Sequence, residues 1–143
     1  QHAPVTSARF LNALQTSIVC HFLGREWYEG HAYLTSPKTS FLHPHFGTDG
    51  LAPVWSMRML NLAEMLFNLQ AVDGFRNCLD HMTLDQLESA LSELQIGMML
   101  HQDRIAFRYI DPATVTGKSP DIEIFLPCGA AALADIKCKY EDT

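Results

Sequence analysis

Acidic and basic side chains that could together bind a metal ion lie near the end of the sequence. Asp121 and Glu123 are two residues apart, and Asp135 and Lys137 have the same spacing. On a β-strand, residues i and i+2 share a face, so each pair is expected to point to one side of its strand. Carboxylates held close together repel one another until a divalent cation binds them, and Mg²⁺ suits such oxygen ligands. A neighbouring lysine adds positive charge for the transition state of phosphodiester hydrolysis.

Three strands must position these side chains. Residues of strand type alternate in the segments 105–110, 121–126 and 133–139. Turn-forming residues separate the last two segments at Pro127-Cys128-Gly129. If those two strands pair through this turn, Asp121, Asp135 and Lys137 converge on one patch of the sheet.

Helices are predicted to precede the strands. Apolar residues recur at helical spacing in the segments 6–23, 52–71 and 83–102. Gly24 is expected to end the first helix, and Asp73-Gly74 is expected to end the second. Thr83 and Gln86 have the spacing of a capping box, so they predict the start of the third helix. The methionines of the second helix are expected to fill the core.

Composition indicates a packed protein without a membrane span. The chain has 143 residues, of which 48% are hydrophobic and 18% charged, as in one main globular domain. Its apolar runs are shorter than the roughly 18 residues that a bilayer requires, and no signal peptide is visible. The net charge is −6 with scattered basic residues, which counts against a dedicated DNA-binding module. A nuclease is less affected, because its carboxylates make the site acidic until a cation binds.

The cysteines suggest a reducing compartment. Cys20, Cys78, Cys128 and Cys138 are far apart and form no C-x-x-C pair, so neither a zinc site nor a disulfide framework is indicated. Free thiols are the simplest interpretation, and they predict a cytoplasmic protein.

The order of these features resembles the PD-(D/E)XK, or restriction-endonuclease-like, nuclease superfamily. Pro120-Asp121 is followed after fourteen residues by Asp135-Ile136-Lys137, and a strand and a helix carrying Glu93 precede it. The resemblance covers about residues 83–142. It implies an α/β fold in which N-terminal helices (1–82) accompany a nuclease-like core (83–143) of a helix and a three-stranded mixed sheet. The family core continues with a further helix and strand, so we expect this core to be truncated at its C-terminal end.

The resemblance also implies roles for individual residues. Asp121 and Asp135 match the acidic metal ligands, and Lys137 matches the catalytic lysine. Glu93 resembles the helix acid that orients metal or water in some branches of the family, with Glu88 as the other candidate. Because Glu123 shares the face of Asp121, it could share or replace the role of Asp121 as a metal ligand. Two further basic residues could contact phosphates, namely Arg108 and Lys139.

The function implied by the resemblance is hydrolysis of nucleic acid with Mg²⁺ or Mn²⁺, with DNA ahead of RNA as the substrate. A second copy or another chain could complete the sheet. The main alternative is a non-catalytic nuclease-like module that serves in protein interaction or oligomerisation. The scattered basic residues and the methionine-rich helix favour that alternative. Asp, Glu and Lys also commonly alternate with aliphatic residues on a solvated hairpin, so an unrelated enzyme or α+β protein could imitate the motif.

Overall fold

A computed structural model describes residues 7–32, 52–82 and 86–137. The described part combines helices with a small antiparallel sheet. The helices are α1 (Ser7–Leu23), α2 (Arg25–Ala32), α3 (Ala52–Leu69), α4 (Phe75–Asp80) and α5 (Leu87–Gln102), and a 3₁₀ turn covers Pro112–Thr114. The strands are β1 (Phe107–Tyr109), β2 (Ile122–Phe125) and β3 (Ala131–Ala134). Among the described helices, none is long and apolar enough to cross a membrane.

Backbone contacts divide the chain into two compact units, residues 1–67 and 68–143. The first unit contains α1, α2 and most of α3. The second contains the end of α3, the helices α4 and α5, and the whole sheet. The domain boundary between residues 82 and 83 remains a prediction.

In the first unit, the sequence correctly predicts where α1 ends. Gly24 has a left-handed φ of 91°, and its N–H donates a hydrogen bond to the Cys20 carbonyl at 3.0 Å. The helix α2 follows immediately and was not predicted. Core filling by methionine is confirmed for Met59 and Met65, which are buried, whereas Met57 is exposed.

In the second unit, the core lies between one face of α5 and one face of the sheet. The buried residues of α5 include Ala90, Leu94 and Gly97, and those of the sheet include Tyr109 and Ile122. The approach is closest at Gly97, where a Cβ would lie 2.0 Å from the Tyr109 hydroxyl oxygen. A glycine at this position therefore allows α5 to pack against β1.

The sheet is a meander in the order β1-β2-β3, and its last two strands pair with each other, as the sequence predicts. Both strand pairs are antiparallel, with Tyr109 opposite Ile122 and Ile122 opposite Ala134. The mixed sheet that the resemblance implies is therefore wrong for the described strands. The short connection between β2 and β3 explains the difference, because a parallel pair needs a crossover of a dozen or more residues.

Two predicted boundaries also differ from the structure. The third strand was expected at 133–139 but spans Ala131–Ala134, and residues 138–139 lie outside the described part. The helix α5 begins at Leu87 with Gln86 at its N-cap, and Gln86 makes no capping side-chain hydrogen bond. A capping box requires this glutamine at N3, the third residue of the helix, so Gln86 does not play that role. Thr83 lies outside the described residues.

Candidate functional site

Asp121 and Asp135 lie next to each other at the end of the β2–β3 pair. Because Ile122 is opposite Ala134, the next step of the register places these two aspartates opposite each other. The Asp121 carboxylate accepts a hydrogen bond from the Ile136 N–H at 2.6 Å. The Asp121 N–H donates to the Ala134 carbonyl at 2.9 Å. These bonds fix the Asp121 carboxylate beside the chain that carries Asp135 and Lys137.

Two lysines share the Asp135 carboxylate. Lys118 Nζ lies 2.7 Å and Lys137 Nζ 3.4 Å from the same Asp135 oxygen, Oδ2. The hydrogen bond from Lys118 is the main cause that lowers the pKa of Asp135, and the charges of both lysines add to it. Lys137 is thus in contact with Asp135, and Asp121 lies opposite Asp135 in the register, while the predicted roles of these three residues stay a prediction. The structure also adds Lys118, which the sequence analysis did not single out.

Glu93 is a buried acid on α5, with 5% of its surface exposed. Burial raises the pKa of Glu93, and the negative charge of Asp121 raises it further. His81 opposes this effect, because its Nδ1 lies 3.8 Å from Glu93 Oε2. Of the two candidate helix acids, Glu93 is therefore the buried one that the charge of Asp121 reaches, whereas Glu88 is half-buried.

Polar groups that the sequence analysis missed surround Glu93. The Cys78 thiol donates to the Ala90 carbonyl at 3.8 Å and also bonds the Glu93 side chain. The Tyr109 hydroxyl donates to the Glu93 carbonyl oxygen at 3.4 Å. Cys78 and His81 are three residues apart on and just after α4, which is the one signal in the sequence that could have linked them to one site.

The environment of Cys78 does not favour a nucleophilic cysteine. Burial raises the pKa of the Cys78 thiol, and the charges of Glu93 and Asp121 raise it further. A nucleophilic cysteine requires the opposite shift, because the thiolate is the reactive form. Cys78 and His81 therefore support the environment of Glu93 and do not form a Cys–His hydrolytic pair.

Glu123 and Arg108 are paired with each other. Arg108 Nε lies 2.5 Å from Glu123 Oε2, and the two residues are opposite each other in the β1–β2 register. Glu123 could bind a metal only if it left this ion pair or shared it with the metal. The same holds for Arg108 as a phosphate contact. Lys139, the other predicted phosphate contact, lies outside the described residues.

The predicted metal site has two carboxylates, Asp121 and Asp135, as its protein ligands. Within residues 7–32, 52–82 and 86–137, no group of three or more His, Cys, Asp and Glu side chains is placed to hold a metal ion. Asp121 and Asp135 form a pair of carboxylates, and Mg²⁺ is commonly bound by one or two carboxylates while it keeps several waters. A magnesium site on these two aspartates stays a prediction.

The raised pKa of Glu93 predicts how stability depends on pH. The carboxyl group of Glu93 binds its proton more tightly in the folded state than in the unfolded state. Its contribution to the free energy of unfolding should therefore fall as pH rises from the ordinary pKa of 4.5 to the raised pKa of the folded state. Glu93→Gln should remove this decrease. Urea unfolding of both chains at a series of pH values in this window measures the effect.

Glu64→Gln, which removes an exposed acid on α3, provides the charge-matched control. The account of Glu93 is wrong if the free energies of unfolding of wild type and Glu93→Gln run parallel throughout that window.

No family model, no curated protein and no solved structure matches this chain.

Proposed function

We propose that the chain is a metal-dependent nuclease that hydrolyses phosphodiester bonds of nucleic acid. The observation that carries this proposal is the placement of Asp121 opposite Asp135, with Lys137 on the Asp135 carboxylate. Glu93 adds a buried acid from the helix side, within reach of the charge of Asp121. Two acids, a lysine and a helix acid are thus close together, which is the set that the resemblance to PD-(D/E)XK nucleases implies.

The proposed roles follow from the chemistry of each group. Asp121 and Asp135 would hold Mg²⁺ or Mn²⁺, which supplies Lewis-acid activation of the phosphate and lowers the pKa of an attacking water. Lys137 would stabilise the negative charge that develops on the phosphate oxygens. Glu93 would orient a water from the helix side through its carboxyl group.

Local charge favours an anionic substrate despite the net charge of −6. Lys118 and Lys137 place two ammonium groups beside Asp135, with side chains 71% and 65% exposed. A phosphate that approaches this end of the sheet therefore encounters positive charge first. We propose nucleic acid as the substrate, with DNA ahead of RNA.

The proposal is tested by incubating the full chain with plasmid DNA, single-stranded DNA and RNA in Mg²⁺ or Mn²⁺. Cleavage should require the metal, stop with a chelator, and be lost in Asp135→Asn. Failure of the wild-type chain to cleave any of these substrates with either metal would contradict the proposal.

A non-catalytic nuclease-like module is the second candidate. It is favoured by the two lysines that already neutralise Asp135, and by the lack of a third metal-binding side chain within the described part. In that case the cluster would fix the loop before β2 to the end of β3. The two candidates differ in the assay above, because only the nuclease releases cleaved nucleic acid.

Location and partners belong to the same proposal. Cys20, Cys78 and Cys128 are free thiols, which agrees with the reducing cytoplasm that the sequence predicts. The strand β3 is at one edge of the described sheet, and an edge strand can pair with another chain. A second copy or a partner chain that completes the sheet at β3 remains part of the proposal.

A further inference from the structure

Lys118 forms an ion pair with Asp135, one of the two proposed metal ligands. Its Nζ donates to Asp135 Oδ2 at 2.7 Å, a shorter distance than the 3.4 Å from Lys137 to the same oxygen. The hydrogen bond to Asp135 is the main cause that raises the pKa of Lys118, and the negative charge of Asp121 adds a smaller effect. Lys118 belongs to the turn-rich segment before β2 and approaches the carboxylate from outside the two paired strands.

We infer that Lys118 is a built-in cation of the Asp121–Asp135 site, which a divalent metal ion must displace and which then becomes a phosphate contact. The inference rests on the proposed function, since it assumes that these two aspartates hold the metal. It assigns Lys118 to the site and gives the site a form of regulation, because the Lys118 ammonium competes with the metal ion for Asp135.

The exposure of Lys118 makes this displacement feasible. Its side chain is 71% exposed, so the ammonium can leave the carboxylate and become hydrated without an unpaired charge being buried. The flexible stem of a lysine keeps the released ammonium near the site. Arginine at this position would retain the positive charge and its competition with the metal.

The test measures binding of Mn²⁺ alone to the full chain by titration calorimetry, without nucleic acid. Lys118→Met should bind Mn²⁺ about ten-fold more tightly than wild type, because a unit charge removed from about 4 Å of a divalent ion changes its affinity by roughly that factor or more in water-like surroundings. Lys118→Arg should return the affinity to that of wild type. Arg25→Met is the matched control, since it removes a cation from an exposed ion pair with Glu29 on α2.

Each outcome has a defined meaning. Equal or weaker Mn²⁺ binding by Lys118→Met overturns the inference, as does the absence of binding in both chains. Tighter binding by Lys118→Met that Lys118→Arg reverses supports it. If that pattern occurs while the wild type cleaves no nucleic acid, the inference about Lys118 stands and the proposed nuclease function fails. If the wild type cleaves nucleic acid and Lys118→Met binds Mn²⁺ no more tightly than wild type, the nuclease function stands and the inference about Lys118 fails.

Discussion

Lys137→Met is expected to lower metal-dependent cleavage of plasmid DNA by about 100- to 1,000-fold while the chain remains folded, since removal of one preorganised charge-stabilising group typically has an effect of this size. Lys137 Nζ lies 3.4 Å from Asp135 Oδ2, so it is positioned beside the proposed metal ligand. Its side chain is 65% exposed, and its loss should therefore leave packing unchanged. Initial cleavage rates and thermal unfolding are measured together.

The control for Lys137→Met is Arg25→Met, which removes one positive charge from an exposed ion pair on α2. It should retain the wild-type rate. Lys137→Met with an unchanged rate would remove this lysine from the reaction. A lost rate together with a lower melting temperature would instead indicate that Lys137 stabilises the fold and does not act in the reaction.

Gly74→Ala is expected to produce the largest loss of stability, more than about 3 kcal/mol of the free energy of unfolding. Gly74 has a left-handed φ of 76°, where a side chain is disfavoured. A Cβ at this position would also lie 2.0 Å from the Tyr109 carbonyl oxygen and 2.8 Å from its carbon. These are backbone atoms of β1, and the Tyr109 N–H donates to the Asp73 carbonyl at 2.9 Å. The strand therefore cannot move away without losing this bond.

Gly24→Ala separates the two causes of that loss. Gly24 also has a left-handed φ, 91°, but a Cβ there would meet nothing within 4 Å. Its substitution should cost only the backbone term, about 1–2 kcal/mol. Urea unfolding of both variants gives the comparison. Equal losses in Gly74→Ala and Gly24→Ala would show that the turn before α4 does not hold β1 in place.

The fold was predictable where a local pattern is long or a turn signal is strong. The helices α1, α3 and α5 carry apolar residues at helical spacing over several turns, and Gly24 follows the end of α1 as predicted. The predicted end of α3 at Asp73-Gly74 is wrong, because α3 ends at Leu69 and Gly74 is the N-cap of α4. The helices α2 and α4 were missed. They have 8 and 6 residues, which is too short for a periodic pattern to stand out. The antiparallel pairing of the strands depends on connections and packing, which the strand patterns alone do not specify.

The candidate site was predictable only in part. The spacing of Asp121, Asp135 and Lys137 depends on the alternation of a strand, and the β2–β3 register places the two aspartates opposite each other as expected. The partners that tune the site come from elsewhere in the chain. Lys118 reaches Asp135 from a turn, and Cys78 and His81 reach Glu93 from a short helix, so no local pattern joins them.

For Glu123, the alternation of strand residues predicts its face but not its partner. Its shared face with Asp121 follows from alternation, but its ion pair with Arg108 follows from the β1–β2 register. That register pairs Arg108 with Glu123, which are 15 positions apart in the sequence, so the local pattern does not specify it. The sequence therefore predicts which acids are near the site more reliably than which of them are available to a metal.

The placement of a divalent ion between Asp121 and Asp135 is tested most directly by paramagnetic broadening of backbone amide signals in the full chain. Added Mn²⁺ should broaden the amides of Asp121, Asp135 and Ile136 first, and Asp135→Asn should abolish the effect. Broadening that is absent at these amides, or that is centred on another acidic surface of the chain, would contradict the account.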